Sequence, residues 1–235
     1  MTTTEIQAVL DELHSILSSN TVIDKKKKDK LILEIEQLKK GFKDIPEIHE
    51  NLTDVYTSLV KKGRELKALY KNKVTSNDKK ELESKAIYYI RYLKAAKGDF
   101  LGETPYVIKY IRFFFVTALL FIALSPMYFG FILPGLMFVP IFLGFRGVKQ
   151  RTKPGFHFSL AVVPVGIMTA ALWVRYGMYA MMNFEKEVAA AMQNSGQGQF
   201  VGQLLVAGPP ILGALLMICA CMQAYFGYKS KDLFV

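Results

Sequence analysis

The sequence predicts an all-α protein: a cytosolic antiparallel helical bundle over residues 1–103, followed by a four-span transmembrane domain of two hairpins over residues 104–235. Residues 1–103 have apolar side chains at helical spacing among many charges, which is typical of amphipathic helices. Long stretches of the remainder are nearly free of charge, and residues 188–228 contain no charged side chain. Apolar runs of about 18 residues or more are typical of membrane helices.

The net charge of +10 comes from 30 basic and 20 acidic side chains. In a soluble protein, such an excess would suggest a nucleic-acid partner. Here residues 1–105 carry only +3, whereas residues 106–235, the more apolar part, carry +7. Most of the excess therefore predicts orientation in a membrane, and we expect no nucleic-acid partner.

The first two helices are predicted at residues 4–19 and 24–40. Thr4 and Gln7 have the spacing of a capping box, and apolar residues follow at steps of three and four. The second helix is expected to stop at Gly41, because glycine commonly ends helices.

The third and fourth helices complete the predicted bundle. Pro46 is expected to open the third helix, whose apolar seam is interrupted only at Lys62. The fourth helix is expected to end at Gly98, and one of Ser76, Asn77 or Asp78 to cap its start. Four amphipathic helices with short turns predict either an antiparallel bundle or a coiled-coil hairpin with a supporting pair.

A lysine run, Lys25, Lys26, Lys27 and Lys28, begins the second helix. One interpretation is contact with anionic lipid headgroups or an acidic partner. The other is a solvated first helical turn, which positive charge at a helix N-terminus destabilises slightly.

The first two apolar segments are predicted at about residues 106–125 and 128–146. Ser125 and Pro126 separate them, which leaves two alternatives, a tight transmembrane hairpin or a wedge that enters and leaves the same leaflet. We favour full crossing, with Pro134 and Pro140 kinking or breaking the second segment. Both alternatives return the chain to the side on which it started.

A basic loop follows the second segment, and short loops rich in Lys and Arg stay in the cytoplasm. We expect its basic residues to contact anionic headgroups: Arg146, Lys149, Arg151 and Lys153. With the other flanking residues, this loop predicts that both chain ends are cytoplasmic. The kind of membrane remains open.

The third and fourth segments are predicted at about residues 157–182 and 203–228. Proline is expected to break both, the third at Pro164 and the fourth at two adjacent residues. Arg175 is expected near the outer interface, because an aromatic belt surrounds it in the sequence. Anchoring and packing kinks are the simple interpretation; a polar groove or ion path is the alternative, formed by Arg175, Pro164, Pro209 and Pro210.

The sequence contains no phosphate-binding loop, zinc motif or nucleophile elbow, so we expect no enzyme activity, no cofactor and no metal. The predicted function is a membrane adaptor or accessory subunit that binds a protein partner through its bundle. One alternative is a subunit of a small oligomeric channel, transporter or translocation complex, which requires self-association. Another is a membrane-shaping hairpin protein.

Overall fold

The structure, a computed structural model, describes residues 3–19, 24–45, 47–71 and 79–235. These residues form helices and connecting turns, with no strand among them, which confirms the all-α prediction. By its internal contacts the chain divides into two compact units. The first unit is Met1–Thr104 together with Asp232–Val235, and the second unit is Pro105–Lys231.

Four helices form most of the first unit. They are α1 (Thr4–Ser19), α2 (Lys25–Lys43), α3 (Thr53–Lys71) and α4 (Lys79–Phe100). A short 3-10 turn, Glu50–Leu52, precedes α3. Helices α1 and α4 each pack against both α2 and α3, around one apolar core.

Ion pairs cross the seams between these helices. Arg64 lies 2.9 Å from Glu5 across α3 and α1, and Lys94 lies 3.5 Å from Glu34 across α2 and α4. Exposed pairs of this kind each stabilise by less than about 1 kcal/mol. They favour one helix pairing over others, while the buried apolar side chains supply most of the stability.

Two predicted helix ends in the first unit are wrong. Helix α2 continues through Gly41 to Lys43, and α4 continues through Gly98 to Phe100. A Cβ atom at Gly41 would overlap the Lys97 side chain, and one at Gly98 would overlap Leu233. Both glycines therefore serve close packing rather than termination. The predicted start signals at Pro46 and at residues 76–78 lie outside the described residues.

The last residues of the chain are buried in the first unit. Leu233 and Phe234 have exposed fractions of 1% and 2%. Leu233 contacts the site of Gly98, so the lack of a side chain there makes room for it. Burial of two large apolar side chains stabilises the attachment of this short segment.

Four parts of the second unit are long and apolar enough to cross a membrane, as the sequence predicts. The helices of this part of the chain are α5 (Thr104–Leu124), α6 (Pro126–Phe129), α7 (Ile132–Lys149), α8 (Lys153–Leu160), α9 (Val162–Met182), α10 (Phe184–Ser195) and α11 (Gln199–Ser230). The four candidate membrane segments are α5, α7, α8 continued by α9, and α11. The short helix α10 connects α9 to α11.

The predicted proline breaks are wrong at both places. Helix α11 continues through Pro209 and Pro210, and the interruption between α8 and α9 lies at Ala161 rather than at Pro164. Each proline removes only its own N–H, so a helix of 32 residues keeps nearly all its hydrogen bonds. Pro164 falls in the first turn of α9, where the N–H groups have no helical partner.

The second segment also differs from its prediction. Residues Pro126–Phe129 form a helix of their own, so α7 begins later, at Ile132, and continues to Lys149. Neither Pro134 nor Pro140 breaks α7. Pro134 lies in its first turn, where proline costs no hydrogen bond, and Pro140 removes a single one.

Glycines allow the closest helix contacts of the second unit. Gly147 of α7 lies against Gly155 of α8, and any Cβ atom on either would overlap the other backbone. Gly213 of α11 lies against Trp173 of α9 in the same way. Small residues of this kind are typical of packing between membrane helices, where backbones approach closely.

Candidate functional site

Basic side chains gather at one end of the second unit, which we call the basic end. Lys229 Nζ, at the end of α11, lies 5.2 Å from the ring of Tyr106, at the start of α5. The turn between α7 and α8 is closed by the Thr152 hydroxyl, which donates to the carbonyl of Gly147 over 3.2 Å. The basic end contains Lys109, Arg112, Arg146, Lys149, Arg151, Lys153, Lys229 and Lys231.

Several lysines of the basic end lie over aromatic rings. Lys149 Nζ is 4.2 Å from the Phe145 ring centroid, and Lys231 Nζ is 4.5 Å from that of Tyr228. Such contacts contribute about 0.5–1 kcal/mol at exposed sites. Mixed basic and aromatic side chains are typical of a membrane–water interface, where the cations can bind anionic headgroups.

The two predicted sets of headgroup-binding residues differ in their surroundings. Arg146, Lys149, Arg151 and Lys153 lie together at the α7–α8 turn. The lysine run instead lies in the first unit, in the first turn of α2. There Lys27 pairs with Glu83 at 2.7 Å, and Lys28 Nζ donates to the carbonyl of Ser18 over 3.2 Å. The hydrogen bond and negative charge of Glu83 raise the pKa of Lys27.

The predicted polar and kink residues do not form one site. Arg175 and Pro164 are exposed on α9, whereas Pro209 and Pro210 are half-buried on α11. The Pro210 Cβ lies 2.8 Å from where a Cβ would stand on Gly177, so this glycine makes room for the proline. Beside this contact is a groove of about 390 Å³ with a wholly apolar lining, which includes Met178 and Ile211.

A buried polar cluster joins three helices of the second unit. The hydroxyl groups of Tyr110 and Ser159 are hydrogen-bonded, and Gln223 Nε2 donates to the carbonyl of Ser159 over 2.9 Å. All three residues are fully buried. Sequence spacing alone does not predict this cluster, although Gln223 stands out as an amide inside an uncharged run. Such hydrogen bonds hold membrane helices together by about 1 kcal/mol each.

Two neighbouring tyrosines, one exposed and one half-buried, lie at the surface of the first unit. Tyr88, 52% exposed, and Tyr92 have ring centroids 4.7 Å apart and hydroxyl oxygens 2.9 Å apart. Lys62 Nζ lies 4.4 Å from the Tyr92 ring centroid. Beside Tyr88, Arg91 borders a cavity of about 320 Å³ that Lys27 and Glu83 also line. We call Lys62, Tyr88, Arg91 and Tyr92 the tyrosine patch.

No protein-family model, curated protein or solved structure matches this chain. Within residues 3–19, 24–45, 47–71 and 79–235, no three His, Cys, Asp or Glu side chains lie together as in a metal site. The candidate functional features of the described residues are the basic end, the buried polar cluster and the tyrosine patch.

Proposed function

We propose that the chain is an integral membrane adaptor or accessory subunit whose first unit binds a protein partner in the cytoplasm. The observation that carries this proposal is the tyrosine patch. The apolar core of the first unit is buried, and its helix seams are bridged by ion pairs. The Tyr88 ring is exposed beside this closed core and is available to a partner, whereas Tyr92 packs partly against the core.

The chemistry of the tyrosine patch suits a protein partner. Tyrosine and arginine are enriched among the residues that dominate binding energy at protein interfaces. The Tyr88–Tyr92 contact holds two large side chains in place before binding, so little conformational freedom would be lost. The cavity beside Tyr88 can receive a partner side chain, and Lys62 and Arg91 favour a partner with acidic groups.

The basic end supports a cytoplasmic location for both termini. Eight basic side chains flank the apolar segments at the basic end. Two basic side chains, Arg175 and Lys186, lie towards or beyond the opposite ends of these segments. Because Lys and Arg concentrate on the cytoplasmic side of short membrane segments, this asymmetry favours one orientation. The same residues would bind anionic lipid headgroups, each by about 1 kcal/mol.

The channel alternative has weaker support. A polar path would need polar side chains around a continuous space, but the groove beside Pro210 is lined only by apolar residues. Arg175 is exposed rather than enclosed, as expected of an interfacial anchor. Self-association could still enclose a path, so the proposed experiment also measures oligomeric state.

Purification of the full chain from its native membranes in a mild detergent tests the adaptor proposal. The wild type is compared with Tyr88→Ala, which leaves the contact of Tyr92 with the core intact, and with Leu33→Ala. Leu33 is a matched control, because it is also large and 54% exposed on the first unit. Composition and ratio are measured by mass spectrometry, and mass by light scattering.

The proposal predicts a partner in fixed ratio with wild type and with Leu33→Ala. Tyr88→Ala should retain about tenfold less of it, since a loss of about 1.4 kcal/mol at one interface side chain weakens binding tenfold. Equal recovery with all three chains would contradict the proposal. So would a wild-type chain that purifies only with copies of itself.

A further inference from the structure

Helix α5 runs alongside α8 and its continuation α9 in a constant register. Tyr110 is hydrogen-bonded to Ser159, and the Trp173 indole donates to the carbonyl of Leu124; both pairs are separated by 49 residues in sequence. Between them, Thr117 lies beside Gly166, 3.3 Å from where its Cβ would stand. Helix α5 is therefore parallel to α8 and α9, and its levels correspond to known levels of these helices.

Because of this register, α5 and α9 end at different levels. Helix α5 ends at Leu124, level with Trp173, but α9 continues for nine residues to Met182. At about 1.5 Å per residue, α9 extends about 13 Å further. The α5 helix reaches only about 21 Å from the level of Tyr110 to Leu124. A bilayer hydrocarbon core is about 30 Å thick. The whole of α5 is long enough to cross it, but Tyr110 lies between Lys109 and Arg112 of the basic end. With one hydrocarbon boundary at the level of Tyr110, α5 ends about 9 Å before the other boundary, whereas α9 reaches it.

The tip of the α5–α7 hairpin, residues 125–131, has the surface of a lipid-exposed segment. Met127 is 77% exposed and Phe131 is 85% exposed, followed by Ile132 at 78%. No charged residue lies between Arg112 and Arg146. An exposed turn in water would normally be polar, whereas this tip presents large apolar side chains to its surroundings.

Several backbone groups of the tip are hydrogen-bonded within the second unit. Trp173 Nε1 donates to the Leu124 carbonyl over 3.0 Å, and the Ser125 carbonyl accepts from the backbone N–H groups of Tyr128 and Phe129. Gly130 N–H donates to the carbonyl of Pro126 over 2.9 Å. The Tyr128 hydroxyl also donates inward, to the carbonyl of Leu172. Backbone N–H and C=O groups can lie in hydrocarbon when they are hydrogen-bonded within the protein.

We propose that the tip lies in the hydrocarbon of the leaflet opposite the basic end, in contact with lipid acyl chains. In this arrangement α9 and α11 span the whole bilayer, while the α5–α7 hairpin enters from the basic end and turns below the far headgroups. Arg175 and Tyr176 lie within one turn beyond Trp173 and mark the approach to those headgroups. Arg175 does so by its long exposed side chain, and Tyr176 by its hydrogen bond to Glu187. Acyl chains of the far leaflet then cover Met127 and Phe131. The proposal does not depend on whether the tyrosine patch binds a partner.

Cysteine reactivity in vesicles tests this placement. The full chain carrying Cys219→Ala and Cys221→Ala is reconstituted in phosphatidylcholine with phosphatidylglycerol, and a single cysteine is placed at Met127. Gln197→Cys and Gln150→Cys, both exposed in polar segments beyond the two ends of the apolar helices, are the matched controls. Labelling rates with N-ethylmaleimide, which reacts with the thiolate and crosses bilayers, are compared.

The cysteine at Met127 should react at least about tenfold more slowly than both controls, because thiolate formation is disfavoured in hydrocarbon. All three should react equally once detergent and denaturant are added, which shows that the thiols are intact. A rate at Met127 within about twofold of the rate at Gln197 would place the tip in water and overturn the proposal. Phe131→Cys repeats the measurement at a second tip position, so that one misfolded variant does not decide it.

Discussion

The α9–α11 pair and helix α5 belong to the same unit but are packed by different means. Between α9 and α11, glycines bring the backbones close, as at Gly213 against Trp173. Helix α5 instead presents large aromatic rings inward, with Tyr110, Phe114 and Phe121 fully buried. Its two ends are tied to α8 and α9 by hydrogen bonds, Tyr110 to Ser159 and Leu124 to Trp173.

This difference shows what holds helices together where no water is displaced. In lipid, apolar burial provides little driving force between helices, so close backbone packing and hydrogen bonds take its place. We infer that the α9–α11 pair is the rigid framework of the second unit. The α5–α7 hairpin is attached to this framework at specific points along one parallel register.

The largest expected effect comes from filling the α9–α11 contact. Gly213→Leu would force α9 and α11 apart at Trp173, and overpacking of this kind costs about 1–3 kcal/mol or more. Thermal unfolding in detergent, followed by circular dichroism, measures the loss. Gly208→Leu, on the same helix but with no neighbouring atom within 4 Å, is the matched control.

If α9 and α11 form the framework, Gly213→Leu clearly lowers the midpoint temperature of thermal unfolding, and Gly208→Leu leaves it nearly unchanged. Similar losses in both variants would mean that leucine harms α11 for a local reason. The comparison between the two halves of the unit would then lose its basis.

A smaller effect is expected from one attachment point of the hairpin. Trp173→Phe keeps an aromatic ring but removes the donor to the Leu124 carbonyl, which should cost about 1 kcal/mol. Hydrogen exchange of the α5 C-terminal amides, measured by mass spectrometry in detergent, should increase. An unchanged exchange rate at residues 121–129 would show that this hydrogen bond does not hold the tip.

The smallest effect is expected at the α11 prolines. In Pro210→Ala the new N–H can bond to the carbonyl of Val206, while the Cβ that faces Gly177 is retained. We expect stability to rise by less than about 1 kcal/mol, as measured by the same unfolding assay. A marked loss would indicate that the proline ring itself is required at Gly177.

The helices themselves could largely be predicted from the sequence. Apolar spacing and long uncharged runs identify all four apolar segments and the four helices of the first unit. What they do not show is which glycines and prolines end helices. Gly41 and Gly98 face neighbouring side chains, and Pro209 and Pro210 are carried inside a long helix, so only tertiary packing decides their roles.

The candidate sites were predicted less completely. The basic loop could be found because charges between apolar segments are visible in sequence. The Tyr110–Ser159–Gln223 cluster depends on the register between three helices, which sequence spacing does not reveal. The tyrosine patch has the same origin, since the structure leaves Tyr88 exposed but buries its sequence neighbour Tyr89.

The depth of the hairpin tip tests the central claim, that the two halves of the second unit reach different levels in the bilayer. Trp173 is kept, so that its hydrogen bond to Leu124 is intact, and Phe131→Cys in the Cys219→Ala/Cys221→Ala background carries a nitroxide spin label at the tip. Electron paramagnetic resonance compares relaxation of the label by oxygen, which concentrates in hydrocarbon, with relaxation by a water-soluble nickel chelate; Met181→Cys is the control at the end of α9. We expect oxygen to dominate at Phe131→Cys and the nickel chelate to dominate at Met181→Cys. Dominance of the nickel chelate at both positions would contradict the account.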